Sequence, residues 1–140
     1  MDHFLINIGK KRTILISIAI LAISLYLIAF FMYLISKNDL FYTFLIRDII
    51  LQILVFISLI MLLIFVLKGK KWACNTLIIF LFIKAYFSLE YIAYIEAVKP
   101  NTHTLNTTYL SIQIIIYSTA IIHFGFSKSF IAFSKYKNIK

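Results

Sequence analysis

The chain has 140 residues, of which 63% are apolar and 14% charged, with 3 glycines, 1 proline and 1 cysteine. An average soluble domain is roughly 45–50% apolar, so this composition excludes an ordinary soluble globule, and it equally excludes disordered, collagenous and loop-rich all-β chains. The net charge of +9 would point to nucleic acid in a soluble protein, but in so apolar a chain the lysines are read first against a membrane, and direct nucleic-acid binding is not expected.

In chain order, residues 1–9 read as a short amphipathic start whose Phe4, Leu5, Ile6 and Ile8 suit a membrane interface. Lys10-Lys11-Arg12 before an apolar run imitates a secretory signal. The run, however, is far longer than the usual signal core and ends at no small-residue cleavage site, which predicts a retained membrane helix. That helix, 13–35, has 23 residues without a charge, more than the roughly 20 needed to cross a bilayer. A second span is predicted at 49–67, with 19 uncharged residues, and a third at 76–95, with 20 residues that include Lys84 and Glu90. The fourth, 109–126, has 18 residues with His123 near its end, and a basic finish follows from Lys128. Continuous apolar runs that do not alternate at period two exclude a β-barrel. The expected fold is therefore all-α: a polytopic membrane protein with four transmembrane helices in an antiparallel bundle, a single domain over 1–140, joined by connections too short to hold a soluble unit.

Orientation follows from lysine and arginine in the short loops. One side collects Lys10, Lys11, Arg12, Lys68, Lys70, Lys71, Lys128, Lys135, Lys137 and Lys140, which is ten; the other collects Lys37, Arg47 and Lys99, and Lys84 completes the fourteen. Both termini are expected in the cytoplasm. Asp39, Asp48 and Glu96 fall on the outer side and only Asp2 on the inner.

Lys84 and Glu90 most need an explanation, because a charge near the bilayer centre costs about 2.5–3.5 kcal/mol on insertion scales. Counted inward from the outer ends, Gln52, Glu90 and Gln113 share one depth, and Ser24, Ser58, Lys84 and Ser118 form a deeper layer. Such layers are either polar glue between helices, with Lys84 snorkelling, or the lining of an ion path or polar-ligand site. Lys84 and Glu90 are six residues and therefore about 120° apart, which is no ready-made ion pair and favours glue.

Ala19, Ala22, Tyr26, Ala29 and Tyr33 alternate at spacings of three and four, the seam of a left-handed helix pair. Ser111, Ser118 and Gly125 repeat at seven and supply a matching smooth face. Packing within the chain is the first reading of each seam and self-association the second. Because four helices seldom enclose a site alone, a homo-oligomer is expected. His123 suits a bond to an interfacial carbonyl or, more sharply, a pH sensor. His3 and His103 lie on surface segments. Trp72, Tyr33, Phe41, Tyr42, Tyr94, Tyr109 and Tyr136 fall where an aromatic belt belongs. Asn106-Thr107-Thr108 matches the glycosylation pattern but abuts the membrane. Cys74 is alone, so no intramolecular disulfide, metal site or cofactor is expected, and no catalytic constellation predicts an enzyme.

The segment His123-Phe124-Gly125-Phe126-Ser127-Lys128-Ser129-Phe130-Ile131-Ala132-Phe133 resembles the C-terminal signature of an uncharacterised family of small bacterial four-helix membrane proteins. The likeness extends to helix spacing and the basic loop around Lys68 to Lys71; Phe130 and Ile131 stand where that family carries more Arg and Val. The resemblance implies a bacterial inner membrane and no enzymatic activity. Small multidrug exporters need a carboxylate in the first helix and thiol-quinone oxidoreductases need paired cysteines, and both features are missing. Colicin-type immunity proteins and membrane subunits of anti-phage defence systems are similar in size, helix number and Ile, Lys and Phe content.

The leading expectation is a non-enzymatic inner-membrane sensor or anchor of a defence or stress system. It would act through oligomerisation and recruit an acidic cytosolic protein, or contact lipid, through Lys68, Lys70, Lys71, Lys128, Lys135 and Lys137. The alternatives are a small channel or transporter using Lys84 and Glu90, and an immunity protein against a pore-forming toxin.

Overall fold

The computed structural model describes residues 2–37, 42–98 and 105–139. They form five helices and no strand: α1 (His3–Lys37), α2 (Tyr42–Leu67), α3 (Lys71–Val98), α4 (Leu105–Phe126) and α5 (Lys128–Ile139). Four of these hold stretches long and apolar enough to cross a membrane, His3–Ala29, Ile49–Leu67, Lys71–Glu90 and Thr108–Phe126.

Two local features differ from the sequence reading. The expected amphipathic start is no separate segment but the first turns of α1. Asp2 caps that helix: its Oδ1 accepts the Phe4 amide at 3.1 Å and its carbonyl accepts the Ile6 amide at 3.2 Å, which satisfies two otherwise orphaned donors. The basic finish is a fifth helix. Ser129, Phe130 and Phe133 form its buried face while Lys128, Lys135 and Lys137 stay exposed, so the three-residue spacing of Phe130 and Phe133 was the legible signal.

Three contacts show how the helices run. Thr13 near the start of α1 meets His123 near the end of α4, Cys74 at the start of α3 meets the Phe124 carbonyl, and Ser134 of α5 meets Gly69 in the turn after α2. The starts of α1 and α3 and the ends of α2 and α4 therefore share one end of an up-down-up-down bundle, and α5 lies across that end, packed chiefly along the first turns of α1. The buried core draws on all five helices, with Ile20, Leu59, Leu77, Leu81 and Ala120 fully enclosed.

Between the helices and outside remain rows of exposed apolar side chains, among them Leu15, Ile18, Leu54, Ile79, Phe82, Phe87, Ile115 and Ile122. Such contiguous exposure far exceeds what a monomer in water carries and is consistent with a lipid surround. Hydroxyls inside these helices are satisfied locally. Ser17, Ser24, Ser58, Thr76, Ser88 and Thr119 each donate to the carbonyl four residues back at 2.7–3.0 Å, so a Ser or Thr here needs no second helix to hide its polarity.

Candidate functional site: the basic end of the bundle

Three sequence-separated segments are folded together at the end covered by α5. The first is the turn after α2. Gly69, at φ 78°, is the residue that can take the left-handed conformation without a Cβ penalty. Its amide bonds to the Val66 carbonyl at 2.9 Å and the Lys70 amide to the Phe65 carbonyl at 3.1 Å, the paired bonds of a Schellman stop. This sharp ending leaves Lys68, Lys70 and Lys71 exposed around a buried glycine. Lys68 Nζ lies 5.7 Å from the centre of the Phe65 ring, which in turn tilts against Trp72 at 5.2 Å, so Lys68 is held beside the turn.

The second segment is the one-residue elbow at Ser127. Its amide reaches back to the His123 carbonyl at 3.3 Å and its carbonyl accepts the Ile131 amide at 3.0 Å, so one residue closes α4 and opens α5. The Ser127 and Ser129 hydroxyls bond to each other at 2.8 Å. Beneath the elbow, His123 is buried, Nε2 lies 3.1 Å from Thr13 Oγ1, and its ring packs on Phe124 and Phe130 at 5.3 and 5.5 Å. Thr13 Oγ1 donates to the Gly9 carbonyl at 2.7 Å, which leaves its lone pairs to accept from a protonated Nε2. Sequence reasoning placed His123 at a helix end but could not supply Thr13, 110 residues away.

The third segment is the start of α1. A Cβ at Gly9 would run into the Ser129 carbonyl group and would stand 3.0 Å from Phe133 Cβ. α5 therefore rests on the bare backbone of α1. Ser134 completes the seat by donating to the Gly69 carbonyl at 3.4 Å. With α5 seated, Lys128, Lys135 and Lys137 join Lys68, Lys70 and Lys71, and Lys10, Lys11 and Arg12 are exposed on the adjoining turns of α1. Asp2 is the single acid in the segments that build this end. The result is a basic platform, with six of its lysines drawn from two segments about 60 residues apart.

The polar residues within the membrane-length helices are distributed differently. Gln113 is buried and donates from Nε2 to Tyr117 Oη at 3.0 Å. Tyr109, expected as a belt residue, donates to the Ile23 carbonyl at 2.9 Å and stacks on Tyr26 at 4.8 Å. Tyr109 thereby stitches α4 to α1, whereas the Gln113 bond runs within α4. Glu90 is exposed and accepts from Tyr86 Oη of its own helix at 2.8 Å. Lys84 and Gln52 are half-buried, while Ser58 and Ser118 are exposed. The residues expected at shared depths are thus spread over the helices: Gln113 is buried on α4, Gln52 and Ser58 lie on α2, and Glu90 is exposed on α3.

The small-residue seams also face outward. Ala22, Tyr26 and Ala29 are exposed and Ala19 is half-buried; Ser118 and Gly125 are exposed as well. The row of α1 that packs within the chain is instead Ile6, Gly9, Thr13, Ser17, Ile20 and Ile23. The side chains of Tyr33, Lys37, Phe41, Tyr42, Tyr94, Lys99 and His103 lie outside the described residues, as do Asp39, Asp48 and Glu96.

Compared with family models, curated proteins and solved structures, the chain matches none. Among the described residues no group of three His, Cys, Asp or Glu side chains could hold a metal ion. What the basic end offers is a rigidly seated, positively charged surface.

Proposed function

We propose that this chain is a non-enzymatic protein of the bacterial inner membrane, both termini cytoplasmic, that self-associates and recruits an acidic cytosolic protein on its basic end. In that role it serves as the sensor or anchor subunit of a defence or stress system. The observation that carries the reading is the seating of α5, which adds Lys128, Lys135 and Lys137 to the lysines of the α2–α3 turn. A lysine excess needed only for topology has no reason to be assembled on a helix clamped against glycine backbone. The positive-inside rule supports placing this end in the cytoplasm, and the likeness of 123–133 to small bacterial four-helix proteins supports the inner membrane. The outward seam Ala19, Ala22 and Ala29 suits a second copy, since small residues let helix backbones approach where no hydrophobic force brings them together.

The channel reading has less behind it, because Glu90 is exposed and bonds to a tyrosine of its own helix.

Recruitment is tested by co-purifying the protein with the products of adjacent genes. Lys135→Gln combined with Lys137→Gln should reduce recovery at low salt by about tenfold or more, at roughly 1 kcal/mol per lysine, with the difference closing as salt rises. Equal recovery from wild type and variant, with topology unchanged, overturns the recruitment reading. For topology, cysteines at Asn38 and Asn101 in a Cys74→Ala background should be labelled from outside intact cells. For self-association, Ala22→Leu should shift the detergent-solubilised mass toward the monomer, and a wild type that is already monomeric removes the oligomer.

A further inference from the structure

A second feature near the basic end lies on the opposite side of α1 from the α5 seat. Ile18 and Leu21 of α1 and Ile60 and Ile64 of α2 wall a groove of about 200 Å³. Its floor is Ser17 and Leu63, both buried, and the Ser17 hydroxyl is already spent on the Thr13 carbonyl at 2.7 Å. The groove therefore presents hydrocarbon and no free donor. Toward the basic end, Ile14 and Ile18 also line a second depression of about 300 Å³, bordered by Leu15 and Lys11. An apolar groove with a lysine on the neighbouring turn of the same helix has the polarity of one molecule class, a fatty chain ending in an anion.

We propose that this groove binds an anionic phospholipid, an acyl chain lying between α1 and α2 and the phosphate resting on Lys11. The acyl chain would lie against residues of both α1 and α2. The charge is set by Lys11, with exposed Lys10 beside it and no acid nearer than Asp2 in the segments that form this end. A cation at the membrane interface is drawn to anionic headgroups generally; here the chain groove beneath Lys11 turns that attraction into a site. The proposal rests on the membrane reading alone. It survives if no cytosolic partner is recruited, and recruitment survives if the groove holds no lipid.

The test uses full-length purified protein, native mass spectrometry and two lipids with identical chains, phosphatidylglycerol and phosphatidylcholine. Phosphatidylglycerol should remain bound at concentrations where phosphatidylcholine does not. Lys11→Gln should weaken its retention about fivefold, the factor a single interfacial lysine contributes, and Lys137→Gln should leave it unchanged. Ile18→Trp, on an exposed position that tolerates bulk, should fill the slot and displace the lipid without unfolding the bundle. Inorganic phosphate should neither bind nor raise the thermal midpoint. Equal retention of the two lipids, full retention by Lys11→Gln or Ile18→Trp, an equal loss in Lys137→Gln, or a thermal shift from phosphate alone would each overturn the proposal.

Discussion

The covered end of the bundle and the far half of α3 use the same residue types to opposite purpose. At the covered end polar groups reach across helices: Thr13 to His123, Cys74 to the Phe124 carbonyl, Ser134 to the Gly69 carbonyl. Among the described side chains of α3 from Lys84 to Glu90, the bonds from Tyr86 to Glu90 and from Ser88 to the Lys84 carbonyl stay within one helix, while Phe82, Ile83, Phe87 and Leu89 are exposed. The difference shows where tertiary structure is specified. A polar group bonded to its own helix leaves the neighbour free to slide or turn, whereas one bonded across helices holds register.

Substitutions can break this contrast. The largest effect is expected for Phe130→Ala, which removes a buried ring that touches His123, Phe124 and Phe133; it should cost about 3–5 kcal/mol. Thermal unfolding and protease access to α5 would read it. Next comes Gly9→Ala, whose new methyl meets the Ser129 carbonyl group. It should cost about 1–3 kcal/mol as an overpacked contact and lift α5 from α1.

Gly125→Ala sharpens the same comparison with the opposite sign. Its Cβ would find Ile78 Cδ1 at 3.9 Å, ordinary contact, so helix propensity should raise stability by about 0.5–1 kcal/mol. An unchanged midpoint for Gly9→Ala beside a raised one for Gly125→Ala would remove the clamp. The smallest effect belongs to Tyr86→Phe, which deletes an exposed bond within α3; a change beyond about 0.5 kcal/mol would mean that this face is covered by another copy of the chain.

The number of membrane-length helices, their length and the common side of the lysines are written in the amino-acid sequence, whereas particular packing choices are not. The amphipathic pattern of residues 1–9 suggests an interfacial segment, whereas these residues are the first turns of α1, where the missing side chain of Gly9 admits α5. α5 was read as a tail because lysines dominate it, although Phe130 and Phe133 mark a buried face. Tyr109 was assigned to a belt by its depth, and only its bond to Ile23 places it in the α1–α4 contact. The basic residues of the candidate site and their common side were legible by count and position; the seating of α5 on Gly9 and on the Gly69 carbonyl was not.

What the sequence determined by itself is the set of four apolar stretches long enough to cross a bilayer, the short connections that make neighbours antiparallel, and the concentration of lysine at one end. Each is a one-dimensional property, a length or a count measured against the thickness and charge of a membrane. What only the tertiary structure decided is which face of each helix turns inward. In water a helix declares that face by its apolar stripe; in these helices the outward rows are as apolar as the inward ones, so periodicity cannot separate them. The choice falls to pairwise fits: a bare glycine under a carbonyl, a threonine under a histidine, a tyrosine on a backbone oxygen. Those fits put Ile20 and Ile23 inside and Ala22 outside, although all three lie within a single turn of α1.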